Sequence, residues 1–374
     1  MSSFREFSFR DYWKEILIFI SALTLRVSYW AYKGTWAGGD AGAYRRACAI
    51  WAENPLGIVT AHKGIFYSGF TFPYCHVLSI PGATADWWVL IQITLSALGC
   101  VIVYRTGRRL MNETAGLFAA GGLVILYDTF LWTTLLYSTA MLTFAMICSL
   151  WAFSWYQDSG SLRAQAALLA SFAFICVSHP FGAPIVLGWV LSDIMPLGSS
   201  RQIFSHRVIP TGVAVSSVGM LLYALDRYYL PARFYSGAVV YDGYAIPVQQ
   251  ASSFFEFIIT NHIYAAAIPI ARMTFFFAPF FPRNSTARIM VNLSTYTPIL
   301  IIAIYGAYRT WTHRRDLFRY LVLPGIMSLA LTAVYIVSWD LRYRAVLGPP
   351  MVLLMGYAVA EYIPKDILPK QLRS

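Results

Sequence analysis

Charge is what this sequence has least of. Asp, Glu, Lys and Arg make up 12% of its 374 residues, about half the share of an ordinary soluble domain, while 58% are hydrophobic. One water-soluble core cannot absorb that surplus, which excludes a soluble globular protein and points to a chain built for the membrane. The sequence also lacks a hydrophilic block long enough for a separate soluble domain, a repeat of 20 to 50 residues and any low-complexity tract. Its five cysteines contain no CxxC pair and its six histidines no HxxxH spacing, which argues against a structural zinc site. Acids are scarcer than bases, leaving a net charge of +11. In a membrane protein the placement of Lys and Arg matters more than their sum, so no nucleic-acid partner is expected.

What is abundant is apolar sequence in windows long enough for a hydrocarbon core of about 30 Å. Ten spans are expected near residues 16–32, 87–104, 115–131, 136–156, 163–181, 183–197, 208–225, 293–309, 318–337 and 344–362. Both termini then lie on one side. Placing that side in the cytoplasm puts "RTGRR", "RQIFSHR", "RTWTHRRDLFR" and the tail residues Lys365, Lys370 and Arg373 inside, as the positive-inside rule prefers. The first apolar run reads as a retained span, because acids precede it and no small-residue cleavage site follows "SYWAYKG". Residues 254–281 read as interfacial or re-entrant helices broken by Pro269 and Pro279, with Arg272 snorkelling to the headgroups. The expected fold is therefore an all-α, polytopic transmembrane helical bundle of about ten spans in one unit, with interfacial helices in its outer loops and membrane lipids around it.

Polar material collects outside, in residues 33–86, residues 226–292 and "SWDLRYR". Cys100, Cys148 and Cys176 fall inside spans, where a thiol behaves as a small buried hydrophobe. Cys48 and Cys75 share the first outer loop, where an oxidising compartment would permit a disulfide that spacing alone does not establish. In "GGDAGAY", Asp40 follows directly on the first span, with Tyr44 one helical turn on and Arg45 and Arg46 next. Asp40 either caps an amphipathic helix, "AYRRACAIWAENP", or faces a water-filled cavity as a general base.

"GGDAGAY", then "LIQITLSALGCVIVYRTGRRLMNETAGLFAAGGLVIL" (90–126), then "RYRAVLGPPMVLLMGYAV" (342–359) resemble in order the integral-membrane GT-C glycosyltransferases. The resemblance is to the group that uses dolichyl- or polyprenyl-phosphate sugars, which includes protein O-mannosyltransferases and the lipid A aminoarabinose transferase. It covers the first 156 residues and about the last 60. It implies a GT-C-like fold and transfer of a sugar from a polyprenyl-phosphate-linked donor to a lipid, glycan or protein acceptor on the extracytoplasmic face. Asp40 matches the family's principal catalytic acid, and Arg342, Tyr343, Pro349 and Pro350 its terminal Arg-Tyr and proline block. Arg342 and Arg344 are the expected grips on the carrier phosphate, since a guanidinium stays protonated and takes two oxygens at once, or else they are ordinary interfacial anchors.

The family's second acid, expected after the turn joining spans three and four, is replaced by Thr139, which leaves Asp128 as substitute or as a helix cap. His62 and Lys63 lie where relatives carry groups that contact the donor phosphate or a metal, so a divalent cation is an open cofactor, with His76 and His262 as further ligand candidates. His179, before the helix-breaking Pro180, either marks a site or satisfies freed carbonyls. In residues 225–250, Tyr rings suit sugar stacking, Arg227 and Arg233 suit phosphate, and Asp242 suits an acceptor hydroxyl. Two other classes stay open: a GT-C-like ligase that moves a whole glycan from a lipid diphosphate, and a non-catalytic flippase of lipid-linked sugars.

Overall fold

The computed structural model describes residues 9–38, 41–54, 67–179, 181–194, 285–334 and 342–362, together with 238–241, 244–247, 249 and short stretches between 256 and 278. The chain opens with α1 (Phe9–Lys33), then α2 (Ala41–Glu53) and α3 (Ser68–Leu78) in the connection that follows it. The bundle continues through α4 (Ala85–Leu110), α5 (Glu113–Ile125), the five-residue α6 (Tyr127–Leu131), α7 (Thr139–Ser159), α8 (Leu162–Ser178) and α9 (Gly182–Ile194). Next come strands β1 (Ala238–Tyr241) and β2 (Tyr244–Pro247). A long helix follows as α10 (Thr286–Val291), a π-helical turn at Asn292–Tyr296 and α11 (Thr297–His313); α12 (Arg315–Val334) and α13 (Arg342–Tyr362) complete it.

Local sequence explains these boundaries. Asn112 starts α5 by accepting the Ala115 N–H at 2.8 Å, and Ser161 and Ser285 do the same for α8 and α10. Gly160 stops α7 in a left-handed conformation, φ 56°, that costs glycine little. Asp86 in the first turn of α4 and Arg108 and Arg109 in its last complement the helix dipole.

Five helices are long and apolar enough to cross a membrane: Tyr12–Lys33, Ala85–Leu110, Thr139–Ser159, Thr286–His313 and Arg342–Tyr362. They mark the chain as a membrane protein, but they are half the ten spans expected. Three of the other expected spans are shorter apolar helices, at Glu113–Ile125, Leu162–Ser178 and Gly182–Ser192. The span expected at 115–131 is interrupted at Leu126, and that at 208–225 lies outside the described residues. The hairpin of β1 and β2, with Val239 opposite Ile246, is a small departure from the all-α expectation.

The bundle is closed by glycines. A Cβ on Gly356 of α13 would lie 2.3 Å from the Ala115 carbonyl of α5, and one on Gly306 of α11 would lie 2.1 Å from the Leu354 carbonyl of α13. Backbones that touch this closely exclude any side chain, the usual way for apolar helices to associate where water supplies no drive. One large apolar core runs through α4, α5, α7, α8, α9, α11 and α13, and a second joins α2, α3 and the start of α4 around Tyr44, Phe70, Tyr74 and Trp88. Within the stretch read as interfacial, Phe276 is buried in the large core, so that part of it enters the bundle.

Candidate functional site

The site begins with the interruption after α5. Leu126 is extended, φ −67° and ψ 104°, and the chain resumes as α6 with neither proline nor glycine at the break. Side chains make the break tolerable. The freed Leu123 carbonyl accepts from Thr129 Oγ1 at 3.3 Å and from Arg26 Nη2 at 3.4 Å, while the Leu126 carbonyl takes Thr129 Oγ1 at 2.7 Å. Arg26 lies fully buried in the middle of α1, its other donors engaged by Ser96 Oγ at 2.7 Å and the Ala22 carbonyl at 3.1 Å. A cation so deep in an apolar span is tolerated only where its donors are filled.

The break turns Asp128 into the bundle, where it pairs with Arg344 from the first turn of α13. Each side chain is 1% exposed. Arg344 Nε bonds Asp128 Oδ2, Nη1 reaches the Ala278 carbonyl at 3.0 Å, and Nη2 reaches Asn292 Oδ1 at 3.3 Å. The guanidinium also lies 3.9 Å over the Tyr296 ring. Both Asn292 and Tyr296 belong to the π-helical turn, a distortion that often accompanies function. The Asp128 Oδ1 atom is buried with no hydrogen-bond partner. A buried pair costs several kcal/mol of desolvation per ion, so its value is positional as much as stabilising.

A second set of contacts surrounds the loop between α6 and α7. The Trp36 N–H donates to the Thr134 carbonyl and the Leu136 N–H to the Trp36 carbonyl, both at 3.3 Å. Tyr44 donates to Ser138 Oγ at 3.4 Å, and the Arg342 guanidinium sits 4.7 Å over Tyr137. Tyr343 stacks on Phe181 at 4.3 Å and meets the ring of His179 at 5.4 Å. His179 Nδ1 accepts the Phe181 N–H at 3.0 Å, which leaves Nε2 as the protonated nitrogen facing Tyr67 Oη at 3.2 Å.

Several expected residues, Asp40, His62, Lys63, Arg233 and Asp242, lie outside the described residues, as do Arg227, Arg272 and Pro180. The structure brings Tyr44, Asp128, Arg342, Tyr343 and Arg344 to one end of the bundle. Asp128 caps no helix: Leu126 holds the capping position of α6 and Asp128 is spent on Arg344. Arg45 is exposed on α2, beside Tyr74. Burial pushes the Tyr74 hydroxyl above its ordinary range and the Arg45 charge opposes that shift. His76 and His262 are exposed, and among the described residues no three His, Cys, Asp or Glu side chains gather as a metal site. Cys48 and Cys75 form a disulfide that ties α2 to α3. Arg26, Asn292 and Tyr296 were not anticipated. The available signal was polarity inside apolar windows, as with Arg26 in "LTLRVSY" and Asn292 in "IMVNLST".

Fold and site together define a polytopic membrane protein with a polar, aromatic-lined centre at one end of its bundle. Among known proteins, no family model and no curated sequence matches the chain.

Proposed function

We propose that the protein is a GT-C type glycosyltransferase that moves a sugar from a polyprenyl-phosphate carrier to an acceptor hydroxyl at the extracytoplasmic face. The observation that carries this reading is the meeting of the first and last resembling blocks on one loop. Trp36 and Tyr44, which flank "GGDAG", both bond to residues 134–138, and Arg342 packs on Tyr137 of the same loop. In this reading the acceptor oxygen attacks the anomeric carbon, its proton passes to the Asp40 carboxylate, and the bond from that carbon to phosphate oxygen breaks. The carrier leaves as a phosphomonoester whose extra negative charge is met by Arg342 at the rim, with Arg344 two residues on fixing that end of α13 through its buried pair with Asp128. Tyr44 and Tyr343 are assigned to the acceptor together with His62, Arg233 and Asp242, Lys63 and Arg45 to the donor phosphate, and Asp128 acts through its pair with Arg344. A divalent cation is a proposed addition at that mouth and takes no part in these steps.

Orientation follows from two features. The Cys48–Cys75 disulfide belongs in an oxidising compartment, and the opposite end carries Arg105, Arg109, Arg309, Arg314 and Arg315, as a cytoplasmic face does. The protein then lies in the cell's inner or plasma membrane with its site outside. Asp40→Asn should lower turnover by about a hundredfold or more in a purified transfer assay while donor binding and folding persist. Wild-type turnover in that variant would sink the assignment.

A second reading, a flippase of lipid-linked sugars, is favoured by the interrupted α5–α6 and its buried charge pair. Transbilayer movement of the donor in vesicles without acceptor would choose it over transfer.

A further inference from the structure

Arg26 and Arg344 have Nε, Nη1 and Nη2 all engaged. Arg288, the third residue of α10, does not. Its Nε is buried with no hydrogen-bond partner, and among the described residues no carboxylate pairs with it. Its guanidinium lies 5.9 Å over the ring of Tyr127, whose hydroxyl is 3.1 Å from that of Tyr29 on α1. All three side chains are half-buried. Asp128, next to Tyr127 in sequence, cannot neutralise Arg288 because it is bound to Arg344.

We propose that Arg288, Tyr127 and Tyr29 form a seat for a phosphate group carried by a lipid. The chemistry fits: a guanidinium grips two phosphate oxygens, and of two tyrosines sharing one hydrogen bond, one hydroxyl proton is left to donate. Partial burial strengthens both contacts relative to water. The depth fits as well. Tyr29 lies four residues, about 6 Å, from the outer end of α1, the level of the headgroups where Tyr and Arg anchor. Access fits a lipid rather than a soluble anion, because only 17% of the α1 span is buried, so this flank opens to the bilayer. Asn292, one turn beyond Arg288 on the same helix face, bonds Arg344, so a phosphate on Arg288 would stand one helical turn from the buried pair. The source is a phospholipid headgroup or a polyprenyl phosphate, and the seat requires no sugar transfer.

The test is native mass spectrometry of the full chain in a phosphate-free detergent, titrated with undecaprenyl phosphate, phosphatidylglycerol and inorganic phosphate. Arg288→Ala should weaken binding of at least one lipid by about tenfold, with Arg288→Lys intermediate and the exposed Arg46→Ala unchanged. If Arg288→Ala does not fold, Arg288→Lys and the Tyr29→Phe, Tyr127→Phe double variant carry the test with a loss of about threefold. Preference for undecaprenyl phosphate identifies the carrier as occupant and preference for phosphatidylglycerol a headgroup; either upholds the seat. Wild-type lipid binding in the variants, or inorganic phosphate bound as tightly as the lipids, overturns it. The readout is binding, so its failure is distinct from a failure of Asp40→Asn in transfer.

Discussion

At the end of the bundle that holds the start of α1 and the finish of α4, α11 and α13, the described residues form five ion pairs. They are Lys14–Glu113, Arg105–Glu15, Arg109–Asp158, Arg309–Glu361 and Arg314–Asp316, and each has at least one partner in contact with solvent. At the opposite end one pair, Asp128–Arg344, is sealed among α6, α13 and the π-helical turn. The first group lies where charge is cheap and each pair contributes little. The second lies where charge is expensive, kept only because a carbonyl, an amide and an aromatic face complete its shell. The end that spends stability on charge is the end with the helix break, the π turn and the aromatic cluster, the pattern of a working site.

That contrast can be broken most directly at Asp128. Asp128→Ala leaves the Arg344 charge buried and uncompensated and should cost about 3 to 5 kcal/mol, read as a lowered thermal midpoint in detergent. The double variant Asp128→Leu, Arg344→Met should recover much of that loss. If Asp128→Ala is as stable as the parent, the two ends do not differ as described. A smaller effect is expected at the disulfide, which joins α2 to α3 across a sequence separation of 27. Replacing Cys48 and Cys75 with Ser should cost about 2 to 4 kcal/mol and speed proteolysis between α2 and α3, leaving the opposite end unaffected. The smallest belongs to the exposed pairs: Asp158→Asn should change stability by less than about 1 kcal/mol, and that small effect should fade at high salt. A large loss there would erase the distinction.

Much of the membrane character was legible in single windows of sequence. α1, α4, α7 and α13 match expected spans to within a few residues, apart from the early start of α1 and the late end of α4, because an apolar run of sufficient length has few alternatives in a bilayer. The 115–131 window reads as one continuous helix in sequence because the break at Leu126 has no proline or glycine beside it. It depends on Thr129 and on Arg26, about a hundred residues away. The disulfide was left open by spacing alone, since only the packing of α2 against α3 brings Cys48 and Cys75 to a Cα separation of 5.0 Å.

By itself the sequence determined the apolar runs that mark this chain as a membrane protein, because composition and local periodicity act over a few turns of helix, while the resemblance of its blocks singled out Tyr44, Asp128, Arg342, Tyr343 and Arg344. Tertiary structure alone decided that Asp128 and Arg344, 216 positions apart, neutralise each other. It also decided that Asn292 and Tyr296 close their shell, and that Arg288 is left with its charge facing two tyrosines. Pairing of charges is set by distance in a low-dielectric interior, and distance between remote segments is a property of packing that no local stretch of sequence contains.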